Sequence, residues 1–373
     1  MKLCATCLFG LERLLGEEID ALGLKREKTI DGRVIFEGTE LDIPRLNINL
    51  RYAERLYIIM GTFPAHTFTE LFDGVRALRV HDYVGRNDAF PVKGHSIKSA
   101  LTSIPDCQSI IKKAAVESMK DRYKVKRFEE TGTKYQIEFF ILKDEATVMI
   151  DTSGETLHKR GYRPQSNEAP LRETLAAALV KLAHIREENL FWDPFCGSGT
   201  IPIEAAMLMS NTAPGMNRSF ISEEFPFIPV KSWKFAREEA EDNVKRDCAF
   251  EAYATDIDPI CVSIAEQNVR RAGMDKYIKC FPYNALDVQT YGRRGSIVCN
   301  PPYGERMMTK ETVEELYTEM GKAFAKLGSW QIYVISSCTD FERLYGRRAD
   351  KVRKLYNGMI KCNYYQFFKN ERQ

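Results

Sequence analysis

Hydrophobic and polar positions alternate with two different periods along the first 61 residues of the chain. A period of two, typical of strands, predicts strands at residues 3–7, 25–30, 33–37 and 56–60, and helical spacing predicts helices at residues 11–22 and 41–50. Asp31-Gly32, between the second and third strands, is a two-residue hairpin signal. The order βαββαβ predicts a split α+β unit of the ferredoxin-like kind.

Residues 64–155 carry a second α+β pattern, which a polar connector follows. Helices are predicted at residues 68–79 and 107–122, and strands at residues 135–142 and 146–151, with a hairpin turn at residues 143–145. The connector begins at Ser153 and includes Lys-Arg-Gly-Tyr-Arg-Pro at residues 159–164. We therefore predict domains at residues 1–63, 64–155 and 169–373, with residues 156–168 as a linker.

From about residue 165 helices alternate with strands, which is the pattern of a parallel α/β sheet. Strands are predicted at residues 190–193, 252–256, 277–281, 296–299, 332–336, 351–356 and 359–368. Asn357-Gly358 between the last two strands favours a type I′ turn and hence an antiparallel hairpin. Five parallel strands that end in such a hairpin make a seven-stranded, Rossmann-like sheet, and this ending resembles that of the class I S-adenosylmethionine-dependent methyltransferases.

Composition and charge narrow the class of protein only slightly. The 373 residues are 44% hydrophobic and 28% charged, as in globular proteins, and the N-terminus lacks a signal-peptide pattern. The ten cysteines lack the spacing of disulfide frameworks or zinc sites, and Cys4-Ala-Thr-Cys7 is a lone pair. We therefore predict a cytoplasmic protein with reduced thiols and no bound metal. Residues 75–134 hold 13 Lys and Arg against 7 Asp and Glu, which suits a polyanion partner or simply a solvated face.

A small-residue turn follows the first strand of the α/β half, where open α/β sheets bind ligands. It reads Asp193-Pro-Phe-Cys-Gly197-Ser-Gly199-Thr200. The two glycines allow a ligand close to the backbone, and Thr200 can cap the next helix. The helix N-terminus would favour the carboxylate of methionine, and Asp193 its ammonium group. A structural turn or a nucleotide loop are the alternatives, although no Lys follows the glycines as in a phosphate-binding loop.

Polar residues also end the second and third strands of this sheet. Asp256 can accept hydrogen bonds from ribose hydroxyls, and Asn284 or Asp287 can meet an adenine edge. In related nucleotide-binding folds the acidic residue follows the glycine loop by about 20 residues. Asp256 lies much further than this from Asp193, so an insertion is predicted near residues 211–231.

The fourth strand ends in the tetrapeptide Asn300-Pro-Pro-Tyr303. Exocyclic amino groups of bases are poor nucleophiles because their lone pair is delocalised into the ring. The Asn300 side-chain oxygen and the Pro301 carbonyl can each accept one N–H and direct that lone pair towards a methyl donor. The prolines hold both oxygens in place, and Tyr303 offers a face on which an extruded base can stack.

With these motifs the chain resembles the THUMP-domain RNA methyltransferases, and among them the bacterial 23S rRNA guanine-N2 methyltransferases. Residues 300–303 are similar to the catalytic motif of methyltransferases that act on base amino groups, and residues 193–200 to their cofactor loop. Residues 10–12, 169–176 and 213–218 are similar to the same group, so the likeness extends over essentially the whole chain. Such proteins are often labelled N6-adenine-specific DNA methylases.

The resemblance implies S-adenosyl-L-methionine as cofactor, RNA as partner, and a role for each matching residue. Residues 64–155 would be the THUMP RNA-binding domain. The implied catalytic residues are Asn300, Pro301, Pro302 and Tyr303. The implied cofactor-binding residues are Asp193, Phe195, Cys196, Gly197, Ser198, Gly199, Thr200, Asp256, Ile257, Asn284, Ala285, Asp287, Leu171, Arg172 and Thr174. The implied RNA-binding residues are Ser96, Lys98, Ser103, Gln108, Lys112, Lys113, Lys159, Arg160 and Arg163.

The sequence therefore predicts methyl transfer to an exocyclic base nitrogen, with guanine N2 of 23S rRNA as the target. Guanine N2 in tRNA and adenine N6 in DNA are alternatives with the same chemistry. An RNA-binding or ribosome-assembly protein without activity is an alternative of another class. The presence of Asp193, Gly197, Gly199 and Asn300 argues against it.

Overall fold

The computed structural model describes residues 1–125, 127–164, 171–303 and 309–368, and these residues form two seven-stranded sheets. The strands of the first sheet are β1 (Lys2–Thr6), β2 (Arg26–Ile30), β3 (Arg33–Glu37), β4 (Arg55–Pro64), β5 (Val92–Ile97), β6 (Ile137–Leu142) and β7 (Glu145–Asp151). The helices of this half are α1 (Glu12–Ala21), α2 (Asp42–Asn49), α3 (Phe68–Ala77) and α4 (Ile104–Tyr123).

The two predicted α+β units share one continuous sheet, in the order β2-β3-β1-β4-β7-β6-β5. Strand β4 joins them because it pairs antiparallel with β1 on one side and with β7 on the other. The sequence did not predict β5, which pairs in parallel with β6. Its one fully buried residue is Gly94, so the strand has no alternating hydrophobic face that could reveal it.

The second sheet has the strand order β10-β9-β8-β11-β12-β14-β13. Its strands are β8 (Leu190–Asp193), β9 (Ala252–Asp256), β10 (Ile278–Pro282), β11 (Gly295–Cys299), β12 (Gln331–Ser336), β13 (Lys351–Asn357) and β14 (Ile360–Phe367). The helices are α5 (Glu173–Leu182), α6 (Thr200–Met209), α7 (Val230–Asp242), α8 (Pro259–Arg271), α9 (Lys310–Ala325) and α10 (Phe341–Tyr345). The first five strands are parallel, and β14 returns antiparallel to β12, which confirms the predicted fold.

The hairpin turn between β13 and β14 lies one residue later than predicted. Asn357 pairs with Ile360, so the two turn residues are Gly358 and Met359. Gly358 has a φ of +62°, whereas Met359 is not among the residues with positive φ. A glycine at the first central position is the requirement of a type II′ turn, which gives the same antiparallel geometry as the predicted type I′ turn.

The predicted insertion between β8 and β9 packs against the N-terminal half. Gly215 donates its N–H to the carbonyl of Ile48 (2.8 Å), and a Cβ on Gly215 would lie 2.7 Å from the Ile48 Cα. Arg45 of α2 forms an ion pair with Glu239 of α7 (2.9 Å). The insertion therefore fixes the half of the chain that contains the second sheet against the N-terminal half.

Within the described part of the chain, no helix is both long and apolar enough to cross a membrane.

Candidate active site

The loop after β8 connects this strand to α6 through a tightly hydrogen-bonded turn. Cys196 donates its N–H to the Thr255 carbonyl (2.9 Å), and Gly199 donates to the Cys196 carbonyl (2.7 Å). Asn268 of α8 donates its side-chain N–H to the Ser198 carbonyl (2.9 Å). The loop is thus fixed by β9 on one side and by α8 on the other.

Gly199 suits the backbone conformation of this turn and its close packing against α8. Its φ is +80°, and a Cβ at this position would lie 3.1 Å from the Cβ of Ala265 on α8. The expectation that Thr200 caps α6 is wrong, because Gly199 is the N-cap residue and Thr200 is already helical. The Thr200 Oγ1 instead accepts a hydrogen bond from Arg163 (2.7 Å).

Two carboxylates lie at the ends of β8 and β9. The Asp256 carboxylate accepts N–H groups from Gly197 (3.0 Å) and Asp258 (3.1 Å), so it links the loops that follow these strands. Asp193 is buried and accepts the N–H of Phe195 (3.1 Å). Burial, together with the negative charge of Asp256, raises the pKa of Asp193 well above its ordinary value. A cation bound beside the two carboxyl groups would favour their ionised forms.

Three of the residues predicted to bind the cofactor follow β9 and β10. Ile257 is 74% exposed although it is apolar. Asn284 caps the short 3₁₀ helix Ala285–Asp287, with its Oδ1 accepting the N–H of Leu286 (3.1 Å). A ligand contact at this position would therefore fall to the Asn284 Nδ2 group or to the exposed carboxylate of Asp287.

Asn300 follows β11, the strand that pairs in parallel with β8. Its Oδ1 is enclosed by protein and has no hydrogen-bond partner among the described residues. The Pro302 carbonyl accepts a hydrogen bond from Tyr317 (2.9 Å), and the Tyr303 hydroxyl accepts one from Asn357 (3.1 Å). Burial raises the pKa of the neighbouring Cys299 thiol well above its ordinary value, so this group remains protonated and is not a nucleophile.

Sequence reasoning did not identify Tyr317 and Asn357 as parts of this site. Tyr317 is a buried aromatic residue inside α9, and nothing in its local sequence marks a polar contact. Asn357 was interpreted only as a turn residue, although its side chain points to Tyr303.

Arg163 of the linker lies against the glycine loop. Its guanidinium donates to the Leu171 carbonyl (2.9 Å) and to the Thr200 Oγ1 (2.7 Å), and it pairs with Glu173 (3.0 Å). The Arg163 side chain is only 8% exposed. Because all these contacts are internal, the structure contradicts the prediction that Arg163 binds RNA. Arg163 instead links the linker to the first residue of α6 and to the start of α5.

Two of the residues predicted to bind cofactor contact the N-terminal half instead. Thr174 is fully buried and donates its hydroxyl to Glu54 (2.5 Å), and Arg172 forms an ion pair with Glu54 (2.6 Å). Thr174 therefore has no exposed surface for a cofactor, which corrects that prediction. Leu171 is buried, and its carbonyl is engaged by Arg163.

Arg160, a second linker residue predicted to bind RNA, is also buried. It donates to the carbonyls of Leu157 (2.6 Å) and Arg51 (2.5 Å) and lies 3.5 Å from Glu204 of α6. The prediction for Arg160 is wrong because its side chain lies in the protein interior and all these contacts are internal. Lys159, which directly precedes Arg160, remains exposed and pairs with Glu155 (2.9 Å).

The other predicted RNA contacts are divided between buried and exposed positions. The Ser96 Oγ is enclosed by protein, and Lys112 pairs with Glu130 (2.6 Å), so neither is free to contact a phosphate. Ser103 caps α4, and Gln108 is half-exposed on the same helix. Lys98 and Lys113 are exposed, and their contact with RNA stays a prediction. Among the described residues, no group of three or more His, Cys, Asp or Glu side chains could hold a metal ion.

Comparison with known proteins gives three family matches in succession along the chain. They are the RlmL ferredoxin-like domain at residues 2–57, the THUMP domain at residues 65–151, and the RMKL-like methyltransferase domain at residues 160–366. YpsC of Bacillus subtilis (strain 168) is 45% identical, over 99% of this chain and 96% of YpsC.

A second relative and a solved structure extend the comparison. The ribosomal RNA large subunit methyltransferase K/L of Shewanella sediminis (strain HAW-EB3) is 31% identical, over 95% of this chain but only 51% of that relative. The crystal structure of SMU.472 complexed with SAH is 41% identical, with a TM-score of 0.92 over 100% of this chain and 99% of that chain.

Proposed function

The chain belongs to the RMKL-like family of methyltransferases, and on that premise we propose that it methylates the exocyclic N2 of a guanine in large-subunit ribosomal RNA. S-adenosylmethionine is the cofactor of this fold and, when bound, supplies an electrophilic methyl group. In the overall reaction a bond forms between the methyl carbon and N2, the bond from that carbon to sulfur breaks, and N2 loses one proton to solvent.

The observation that carries this proposal is the enclosed Asn300 Oδ1 without a partner among the described residues. A buried acceptor without a donor costs about 1–3 kcal/mol, so a substrate N–H is the group that this oxygen is suited to receive. Asn300 and the Pro301 carbonyl are neutral acceptors. They can orient the amino group of a base without first removing its proton, which is what a weakly basic exocyclic nitrogen requires.

The loops after β8 and β9 have the chemistry to hold the methyl donor. Asp193 and Asp256 would share the ammonium group and the ribose hydroxyls, because carboxylates accept hydrogen bonds from both. The backbone N–H groups at the start of α6 suit the methionine carboxylate. The exposed Ile257 offers an apolar surface to an adenine ring.

Several observations favour RNA, and among RNAs the large-subunit rRNA. The THUMP match covers residues 65–151, where Lys98 and Lys113 are exposed. Cationic side chains on a domain surface suit phosphate contacts. The relative from Shewanella sediminis is named as a methyltransferase of large-subunit ribosomal RNA. Such a substrate, together with the ten free thiols, favours the cytoplasm.

The test is methyl transfer by the purified protein with labelled S-adenosylmethionine and unmodified 23S rRNA. We expect labelled N2-methylguanosine after nuclease digestion, and loss of the signal in Asn300→Ala while calorimetry shows unchanged cofactor binding. Label in tRNA guanine or in DNA adenine would replace the rRNA assignment with one of these substrates. No label in any nucleic acid would contradict the proposed activity.

A further inference from the structure

A chain of buried hydrogen bonds holds the turn at residues 300–303 from the protein interior. Tyr317 of α9 is fully buried, and its hydroxyl donates to the Pro302 carbonyl (2.9 Å). The same hydroxyl lies 2.9 Å from the Ser336 Oγ at the end of β12. Since a hydroxyl has a single proton, Ser336 must be the donor to Tyr317. Ser336 in turn accepts the N–H of Cys338 (3.1 Å), so this chain of hydrogen bonds is complete.

A second contact holds the turn from the hairpin side. Asn357, the last residue of β13, donates its side-chain N–H to the Tyr303 hydroxyl (3.1 Å). The Cys362 thiol of β14 lies 3.9 Å from the same hydroxyl. Because its hydroxyl is held at the far end of the ring, Tyr303 cannot rotate freely about its side-chain bonds.

These two contacts act on the degrees of freedom that the prolines leave open. The rings of Pro301 and Pro302 fix their own φ angles but not the direction of the Pro302 carbonyl. Tyr317 fixes that carbonyl, and Asn357 fixes the residue that follows it. The Asn300 Oδ1, by contrast, has no partner among the described residues. Hydrogen bonds therefore fix Pro302 and Tyr303, whereas the atom proposed to bind the substrate keeps its hydrogen-bonding capacity.

We propose that Tyr317 and Asn357 are positioning residues for methyl transfer. Tyr317 keeps the Asn300 and Pro301 oxygens in the geometry that orients the amino group, and Asn357 keeps the Tyr303 ring in the orientation on which the base stacks. This inference rests on the proposed function. Loss of the Tyr317 hydroxyl should slow the chemical step without weakening RNA binding, because Tyr317 is buried and cannot contact RNA.

The chain offers a matched control for Tyr317→Phe. Tyr365 of β14 is 2% exposed, and its hydroxyl donates to the Cys338 carbonyl (3.0 Å). Its ring stacks on Phe341 at 4.6 Å, and the Tyr317 ring contacts the same Phe341 at 4.9 Å. Tyr365→Phe therefore removes a buried hydroxyl from the same cluster, but one that does not bond to the turn.

The experiment measures kcat and KM for both Phe variants and for Asn357→Ala, on whichever of rRNA, tRNA or DNA the wild-type protein methylates. Tyr317→Phe should lower kcat roughly 10- to 100-fold with KM for the nucleic acid unchanged, since displacement of catalytic groups costs this much. Tyr365→Phe should retain the wild-type kcat, although its melting temperature should shift by about as much as that of Tyr317→Phe. Asn357→Ala should raise KM, because the Tyr303 ring loses its anchor.

Two results would overturn the assignment of positioning roles. One is an equal fall in kcat in Tyr317→Phe and Tyr365→Phe, which would reflect general loosening of the cluster. The other is a kcat in Tyr317→Phe that matches the wild type. Activity on tRNA or DNA alone would refute only the rRNA target, because the same comparison can still be made. A wild-type protein inactive on all three substrates would refute the proposed function and this inference together.

Discussion

At the scale of single residues, a glycine in the candidate site can be compared with one outside it. Gly199 combines a positive φ with close contact to Ala265, whereas Gly273, which follows α8, has a φ of +69° and nothing within 4 Å of its would-be Cβ. The two positions share the backbone strain that a side chain would introduce, about 1–2 kcal/mol. Of the two, only Gly199 belongs to the loop after β8, and only its added Cβ would contact α8.

This difference predicts separate outcomes for two alanine variants. Gly199→Ala should displace the loop from α8 and abolish or strongly weaken S-adenosylhomocysteine binding in calorimetry. Gly273→Ala should bind like the wild type and lose only about 1–2 kcal/mol of unfolding free energy in urea. Equal cofactor affinity in the two variants would show that contact with Ala265 does not set the loop geometry.

Residue-scale prediction from sequence depends on motifs that are local. Asn300 was identified because a polar side chain between a buried strand and two prolines is unusual wherever it occurs. Tyr317 could not be identified in this way, since its partners Pro302 and Ser336 lie 15 and 19 residues away. The roles of these residues in catalysis stay predictions until the variants are measured.

At the scale of elements, the linker shows that the residues of a basic run are not always exposed at the surface. Arg160 and Glu204 have side chains that are 2% and 0% exposed, and the Tyr162 hydroxyl also donates to Glu204 (3.0 Å). The sequence marks neither partner, because Glu204 lies on α6, 44 residues along the chain. The run at residues 159–163 therefore connects the linker to α6 as well as presenting Lys159 to solvent.

We predict stability losses of very different size for two neighbouring substitutions in this run. Arg160→Met leaves the Glu204 carboxylate buried without its cation and should cost about 3–5 kcal/mol of unfolding free energy. Lys159→Met, at an exposed ion pair, should cost about 1 kcal/mol or less. Urea unfolding of both variants makes the comparison. Similar stability losses would mean that the buried pair contributes no more than the surface pair.

Element boundaries were predictable where hydrophobic periodicity is strong. Asp31-Gly32 forms the predicted turn between β2 and β3, with Gly32 at a φ of +73°. The turn at Gly358 and Met359 was displaced by one residue, because both Asn-Gly and Gly-X pairs suit two-residue turns. Strand β5 was missed because it pairs at an edge with few buried side chains.

At the scale of the whole molecule, Glu54 connects three parts of the chain. It precedes β4 in the N-terminal half, and its carboxylate contacts His158 of the linker (3.0 Å) and Arg172 and Thr174 beside α5. No periodicity or motif predicts such a contact, since its partners lie 104 to 120 residues away along the chain. Sequence patterns predict the fold class, but the contacts that join the two halves depend on complementary side chains far apart in the chain.

The charge state of Glu54 makes the stability of the whole molecule depend on pH. Burial alone would raise the pKa of Glu54, but the hydrogen bond and charge of His158, the Thr174 hydroxyl and the charge of Arg172 lower it to about 2. In the unfolded chain a Glu has a pKa of about 4.3. Between these two values the unfolded state binds more protons than the folded state, so the stabilisation is complete above the higher value and is lost as the pH falls towards the lower one.

We therefore predict that the stability difference between wild type and Glu54→Gln shrinks by about 3 kcal/mol as the pH falls through this window, since one pKa unit corresponds to about 1.4 kcal/mol. Urea unfolding at several pH values from 7 to the acid limit of the folded state measures it. Glu155→Gln is the control, because the Glu155 side chain is 68% exposed and its ion pair with Lys159 is screened by solvent. A difference between wild type and Glu54→Gln that stays constant with pH would show that the Glu54 carboxylate does not hold the halves together through its charge.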